Sequence, residues 1–343
     1  MNKLLSNFAF LIILFIGLKA HSEDRIYVAS GNQGTYGIRV FDTSGIQLYT
    51  ITNPLLNFPT VLAGYNNGNN LITDINFVGN NGPDLVKLDL NGNILARTSN
   101  FDIFGQTGGG ITSVINSGHD TFFTIGGNDQ IAELDGNLSL IRRFTSNVPD
   151  TGGLHLIGGA VNNNGSKLFI ADMNGQTGQG LVRVYDTASG QQTGTLGGYA
   201  FLDAPRYIAF DSYNNLYVSN LSSDPTKNYP NYQNLDFIVF DQTLSFLKKV
   251  NSGLPSNYYP QGQFDIDSNN NIFTIESYSS SFTTVKKIDT NGNFISEFGS
   301  ELSGNAIISM PAPVTPIPAT SWLLLSGVGG LGLMSRKRKT LGA

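Results

Sequence analysis

The chain contains no cysteine, a single tryptophan and three histidines, and charged residues make up only 13% of its 343 positions. Without cysteine there is no disulfide framework. An exported form would be held by its core alone, which suits a large fold and not a small stapled one. The scarcity of charge, set against 40 glycines and abundant Asn, Tyr and Phe, suits an all-β protein with many turns. Disorder is excluded because apolar residues recur at short regular intervals. The formal charge of −5 hides an asymmetry, since Lys3, Lys19, Arg336, Lys337, Arg338 and Lys339 all lie in terminal segments. Setting those six aside leaves 14 basic against 25 acidic residues, the wrong sign for a nucleic-acid surface.

Two stretches carry long apolar runs, one at each end. The first, "MNKLLSNFAFLIILFIGLKAHSED", has a basic start at Lys3, an apolar run from Phe8 to Leu18, and small residues Ala20 and Ser22 before Glu23. It reads as a secretory signal peptide over residues 1–22. At the other end, residues 311–343 comprise a Pro-rich spacer, an apolar stretch from Ala319 to Met334 and four consecutive basic residues. Counted from Ile317, that stretch approaches the lower limit for a spanning helix. The basic residues after it place the C-terminus in the cytoplasm, consistent with an exported N-terminal domain.

Between these ends, residues 23–310 repeat. An apolar pair followed by Asp and a turn recurs at Asp42, Asp89, Asp135, Asp186, Asp241 and Asp289, a spacing of roughly fifty residues. Each mark follows a run of four to six apolar, β-rich residues: "RIYVAS", "NLITD", "TFFTIG", "KLFIAD", "NLYVSN" and "NIFTIE". None has helical spacing, so helical repeats are excluded. The best copy, Pro205 to Val250, predicts strands at Tyr207–Phe210, Leu216–Ser219, Phe237–Phe240 and Leu244–Val250. Runs such as Leu168, Phe169 and Ile170 are apolar at every position, as in strands buried on both faces. A propeller blade, sandwiched between two others, supplies that double burial. The hairpins "NNGNN", "NSGHD", "NNNGS", "DSYNN" and "DSNNN" are rich in residues that tolerate positive φ. We therefore expect an all-β, six-bladed propeller. Its first blade, from Arg25, lacks a first strand, and Ile307 to Met310 would supply it and close the ring.

The repeats resemble NHL-type six-bladed propellers, most clearly at Pro205, Phe210, Asp211, Tyr217, Val218, Phe240 and Asp241. The tail resembles the PEP-CTERM family of bacterial sorting signals through Pro316, Pro318, Ala319, Trp322, Ser326, Gly327, Gly330 and the basic Arg336, Lys337, Arg338 and Lys339. It departs from the family in carrying Ile317 where an acidic residue is usual. This second resemblance implies an exosortase as partner, transient anchoring in the inner membrane with the propeller outside the cytoplasm, and delivery to the cell surface or an exopolysaccharide-rich matrix.

Candidate chemistry is sparse. His119 lies in a hairpin between first and second strands and His155 precedes a first strand, which sets them on opposite faces and excludes a shared zinc site. With no cysteine and no Gly-x-Ser-x-Gly, no nucleophilic triad is supported, and no catalytic residue is assigned. The second strands end at Ser30, Asp74, Gly126, Asp172, Asn220 and Glu276. Asp74, Asp172 and Glu276, with Asn220, would offer oxygen ligands to calcium if they converged on the channel. Calcium-dependent lactonases of six-bladed form use such a channel. An Asp closing this strand can equally bond a loop amide as a routine feature of the repeat. The stretch Asp265 to Glu276 matches a calcium loop in part, yet it aligns with the hairpin one blade earlier and carries Asn270 where Gly is expected. Finally, Tyr229 and Tyr232, Tyr258 and Tyr259, and Tyr278 fall in loops leaving one face of the ring, where exposed Tyr suits stacking on sugars or a protein partner. The expectation is an exported, non-catalytic binding protein for glycan or a surface partner. The alternative is a calcium-dependent hydrolase, lactonase or lyase with its site in the channel.

Overall fold

The second strand of each repeat is buried along nearly its whole length, and the architecture follows from that fact. In the computed structural model the residues described are 23–32, 35–57, 59–65, 68–75, 83–105, 110–118, 120–126, 129–144, 156–173, 180–197, 202–223, 232–252, 263–279, 282–302 and 304–312. The expected leader 1–22 and the tail beyond residue 312 lie outside them, as do His119 and His155.

Blade 1 takes β1 (Asp24–Asn32), β2 (Thr35–Asp42) and β3 (Gln47–Ile51). Blade 2 is β4 (Leu62–Tyr65), β5 (Asn70–Ile75), β6 (Asp84–Asp89) and β7 (Ile94–Ser99), followed by a one-turn helix α1 (Asn100–Phe104). Blade 3 is β8 (Ile111–Asn116), β9 (Thr121–Gly126), β10 (Gln130–Asp135) and β11 (Leu140–Phe144). Blade 4 is β12 (Leu156–Val161), β13 (Lys167–Asp172), β14 (Leu181–Asp186) and β15 (Gln192–Gly197). Blade 5 is β16 (Ala204–Phe210), β17 (Leu216–Ser223), β18 (Tyr232–Phe240) and β19 (Phe246–Asn251). Blade 6 is β20 (Phe264–Ile266), β21 (Ile272–Ser279), β22 (Phe282–Ile288) and β23 (Phe294–Leu302), and β24 (Gly304–Pro311) returns to blade 1.

The result is six four-stranded antiparallel sheets, and in blade 1 the order is β24-β1-β2-β3. The chain closes its own ring as the repeat pattern requires: Arg25 pairs with Met310, Ile26 with Ser309 and Val28 with Ile307. The first strands pack on one another in sequence around the axis, β4, β8, β12, β16, β20, β24 and back to β4. Because the ring closes between Asp24 and Pro311, residues 23–312 form a complete unit.

Six core clusters fill the six seams. Tyr27, Val40, Leu71 and Val86 lie between blades 1 and 2, Ile72, Phe122 and Leu134 between 2 and 3, and Phe123, Leu168 and Tyr185 between 3 and 4. Phe169, Val184 and Val218 join blades 4 and 5, Tyr217, Val239 and Ile272 join 5 and 6, and Phe273, Val285 and Ile26 join 6 and 1. Each blade thus buries both faces, which is why its middle strands are apolar without alternation.

The hairpins share one device. In five outer turns an Asp accepts the amides two and four residues on, as Asp241 does from Thr243 and Ser245, while in the longer turn of blade 4 Asp186 accepts the Ser189 amide three residues on. Asp211 and Asp267 repeat it in the inner turns of blades 5 and 6. Hydrogen bonds led by the Thr243 hydroxyl hold Asp241 below the usual carboxylate range, and the Ser189 hydroxyl does the same for Asp186. The turn's fourth residue has positive φ. Gly45, Gly92 and Gly292 fill it in three outer turns, but Leu138 (φ 65°) and Leu244 (φ 66°) fill it in two others. Leu138 offsets the left-handed strain by complete burial beside Phe122 and Leu134. Leu138→Gly should therefore destabilise the ring by about 1–3 kcal/mol, lost burial outweighing relieved strain. Leu244→Gly, only half-buried, should change it by less than about 1 kcal/mol. Urea melts of both variants compare them directly, and equal losses would refute the account.

Neighbouring blades are also stitched through these turns. At five seams a side-chain donor reaches a carbonyl of the next outer turn. These are Asn53 to Gly92 (2.8 Å), Lys87 to Gly136 (2.8 Å), Arg142 to Thr187 and Ala188, Lys248 to Thr290 (2.6 Å) and Lys287 to Thr43 (3.0 Å).

Candidate functional site

Two places in this ring can host a ligand: the channel on its axis and the end from which the long loops leave. The channel is lined by the first strands. Leu62, Thr112, Ala160, Ile208, Phe264 and Ile308 represent the six blades around a space of about 420 Å³. As edge strands of their sheets, these turn the backbone groups not used in their own ladders away from their blades. Among the described lining residues most side chains are apolar or small, and Asp265 is the single carboxylate.

The second strands stop behind that lining, so the oxygen ligands expected at their ends face other groups. Asp74 is buried, and its carboxylate accepts the Thr60 amide (2.5 Å), the Thr60 hydroxyl (2.6 Å) and the Val61 amide (2.9 Å). Burial pushes its carboxyl up, and these three donors pull it part of the way back. Asp172 takes the Arg183 guanidinium through Nε (2.7 Å) and a terminal nitrogen (2.6 Å). The Asn220 carbonyl oxygen accepts the Ala204 amide at 3.1 Å. Asp74 and Asn220 thereby fix the start of their own blade's first strand, and Asp129 does the same for the next blade by accepting the Leu156 amide at 2.8 Å. Glu276 lies on β21, with its side chain outside the described residues. Among the described residues no group of three or more His, Cys, Asp or Glu stands where it could hold a metal ion. The partial calcium-loop match from Asp265 to Glu276 is an antiparallel hairpin, Asp265 pairing with Phe273 and Asn270 taking φ 64° at its turn.

Asp265 is a channel residue, and its signal is legible in the sequence. Hairpin bonds align Ser117, Asn162, Asp211 and Asp267 as the first residues of equivalent inner turns. Two residues before them stand Ile115, Ala160, Ala209 and Asp265. A carboxylate occupies a position that is otherwise apolar. Its oxygens accept the Ile266 amide (2.8 Å) and, across the seam, the Ser309 amide (2.6 Å). Burial is the main cause that lifts its carboxyl to about 7.

At the loop end the described pairing is uneven from blade to blade. With Ser30, Asp74, Gly126, Asp172, Asn220 and Glu276 as a common level, the described pairing of the middle hairpins in blades 3 and 4 stops there, at Gly126–Gln130 and Asp172–Leu181. Blade 2 adds one pair, Ile75 with Asp84. Blade 1 continues to Asn32–Thr35, blade 5 to Ser223–Tyr232 and blade 6 to Ser279–Phe282. Two to three further residues at about 3.4 Å each raise a wall roughly 7–10 Å high. It runs over three consecutive blades, 5, 6 and 1. Tyr232 and Tyr278 sit on its strands with side chains outside the described residues, and Tyr229, Tyr258 and Tyr259 lie outside them altogether. Pairing through Ser222 and Ser223 converts what the polar sequence suggested was loop into strand.

No family model matches this chain, and no curated protein matches its sequence. Solved structures do share its fold. One is of a nidogen/laminin complex, with 13% identity and a TM-score of 0.57 over 84% of this chain and 98% of that one. A protein of unknown function from Bacteroides caccae has 11% identity and a TM-score of 0.58 over 84% and 99%. A candidate 6-phosphogluconolactonase from Bacteroides fragilis has 14% identity and a TM-score of 0.54 over 85% and 99%. At such identities the likeness is one of fold alone: this chain is similar to nidogen-type and NHL-like six-bladed propellers in architecture.

Proposed function

We propose that this chain is an exported propeller, sorted to the cell surface or extracellular matrix through residues 311–343, that binds glycan or a surface partner without catalysis. The observation that carries the binding reading is the wall. Among the described residues, three consecutive blades extend the pairing of their middle hairpins by two to three residues past the common level, whereas the pairing described in the other three stops at that level or one pair beyond it. Strand-built walls position side chains more firmly than loops do, and this one carries Tyr232 and Tyr278. Aromatic faces with hydroxyl handles suit sugar rings. The export reading rests on the leader-like residues 1–22 and on the tail's spacer, apolar stretch and basic end, which imply an exosortase-type partner and a transient stay in the inner membrane.

A glycan microarray probed with residues 23–312 tests the binding reading. Binding to at least one polysaccharide class is expected, falling at least about tenfold in Tyr232→Ala/Tyr278→Ala, the loss that follows from removing roughly 1.4 kcal/mol of contact. An array without signal, or signal indifferent to both tyrosines at unchanged melting temperature, would refute it. The alternative, a calcium-dependent hydrolase, lactonase or lyase, draws on the fold shared with the candidate 6-phosphogluconolactonase. It needs Asp74, Asp172 and Asn220 to release their present partners and converge with Glu276.

A further inference from the structure

We propose that the joint between blades 6 and 1 is a pH-responsive seam, which loosens as the medium rises from acidic to neutral. This seam adjoins the place where the ring is closed, since β1 and β24, which bring the two ends of the ring together within blade 1, both face blade 6 across it. Its bridges at the inner turns differ from those at the other inner turns, a further carboxylate bridge between blades, Asp129 to the Leu156 amide, lying at the loop end of blades 3 and 4. Blades 2 and 3 are joined by the Asn116 amide to the Gly64 carbonyl, blades 4 and 5 by the Asn163 amide to Asn214 Oδ1, and blades 5 and 6 by the Ser212 amide to Asn270 Oδ1. All of these acceptors are neutral. At the closing seam both acceptors are carboxylates: Asp265 takes the Ser309 amide at 2.6 Å, and Asp24 takes the Ser268 amide at 2.5 Å.

The charges around Asp265 do not balance it. From β1 comes Asp24, while Arg25 turns its guanidinium to the Tyr49 hydroxyl at 3.1 Å. The β20–β21 turn adds Asp267, whose oxygens serve the turn itself. No ionisable residue comes from β24. Arg206 and Tyr207 of β16 lie at that strand's bulge, and Glu276 and Tyr278 of β21 lie beyond the pairing with β20. Lys287 of β22 is spent on the Thr43 carbonyl at the outer turn. Burial, with Asp24 and Asp267 adding to it, lifts the Asp265 carboxyl to about 7 against the pull of the Ser309 and Ile266 amides. Opening the seam returns that carboxyl to water and to its ordinary value near 4. From about pH 4 to about pH 7 the closed joint holds a proton that the open one has lost, so closure weakens across that window and levels off above it.

Amide exchange on residues 23–312 at about pH 5 and about pH 8, corrected for intrinsic rates, reads the seam directly. Protection in β20, β21 and β24 is expected to fall at least about tenfold at the higher pH, one pKa unit's worth of differential binding. Blades 3 and 4 should not change. Asp265→Ala should abolish the difference, and Ala160 and Ala209 at the equivalent positions show that the fold accepts alanine there. Asp24→Asn keeps an acceptor for Ser268 and should move the transition to lower pH. Uniform protection at both pH values, a difference that survives Asp265→Ala, or a transition unmoved by Asp24→Asn would each overturn the proposal.

Discussion

A chain ending at Leu302 should lose its cooperative melt altogether, whereas one ending at Ala312 should melt like the full-length protein. The contrast isolates β24. Without it blade 1 keeps three strands, and the inner edge of β1 loses its partners from Arg25 to Ser30. Ala306, Ile307 and Met310 leave two core clusters at once, since Met310 packs between blades 1 and 2 and Ile307 between blades 6 and 1. Truncating a single buried aliphatic side chain costs about 2–5 kcal/mol, against a total stability of about 5–15 kcal/mol for an ordinary domain. Losing two such residues, a strand ladder and the closure of the ring exceeds that margin. Scanning calorimetry should show a sharp transition for the longer chain and a broad or absent one for the shorter. A truncated chain that melts sharply within a few degrees of its parent would show that blade 1 is dispensable for the other five.

What the sequence revealed and what it concealed divide along a physical line. Strands buried on both faces must be apolar throughout, so "LFIAD" and "LYVSN" announced themselves, and the surplus strand at Ile307 could be assigned to blade 1 by counting. Turn chemistry was equally open, because an Asp that caps its own hairpin needs fixed spacing to its donors. Directions were not. Asp74 stands at the expected level, yet its carboxylate turns to Thr60 and Val61, which the sequence separates from it by a loop and a strand. The partner of Asp172 sits on the neighbouring strand, where nothing in the run "RVYD" marks Arg183 as paired. The wall was hidden for another reason. Ser222 and Ser223 carry little strand propensity, and they pair because β17 and β18 simply continue past the ring. Leu138 reverses the usual inference, since its burial overrides the preference for glycine at a left-handed position.

Asp172→Ala should destabilise the protein by about 3–5 kcal/mol, equally with calcium and with chelator, because it strands a buried cation. The pair is shielded, with 2% of the Asp172 side chain exposed and 12% of the Arg183 side chain. Arg183 has a second bond, from Nη1 to Gln192 Oε1 at 3.2 Å, which cannot neutralise a guanidinium. Replacing both partners, in Asp172→Ala/Arg183→Met, should recover most of the loss, since the interior then holds neither charge. The same melts decide the calcium reading. A ligand of the folded state raises the midpoint by mass action, so a calcium site at the second-strand ends would lift the wild type and leave Asp172→Ala unlifted. The geometry leads to the other outcome: equal midpoints with chelator and calcium in the wild type, and a fixed deficit in the variant. A deficit that appears only when calcium is present would return Asp172 to the metal and the channel to enzymology.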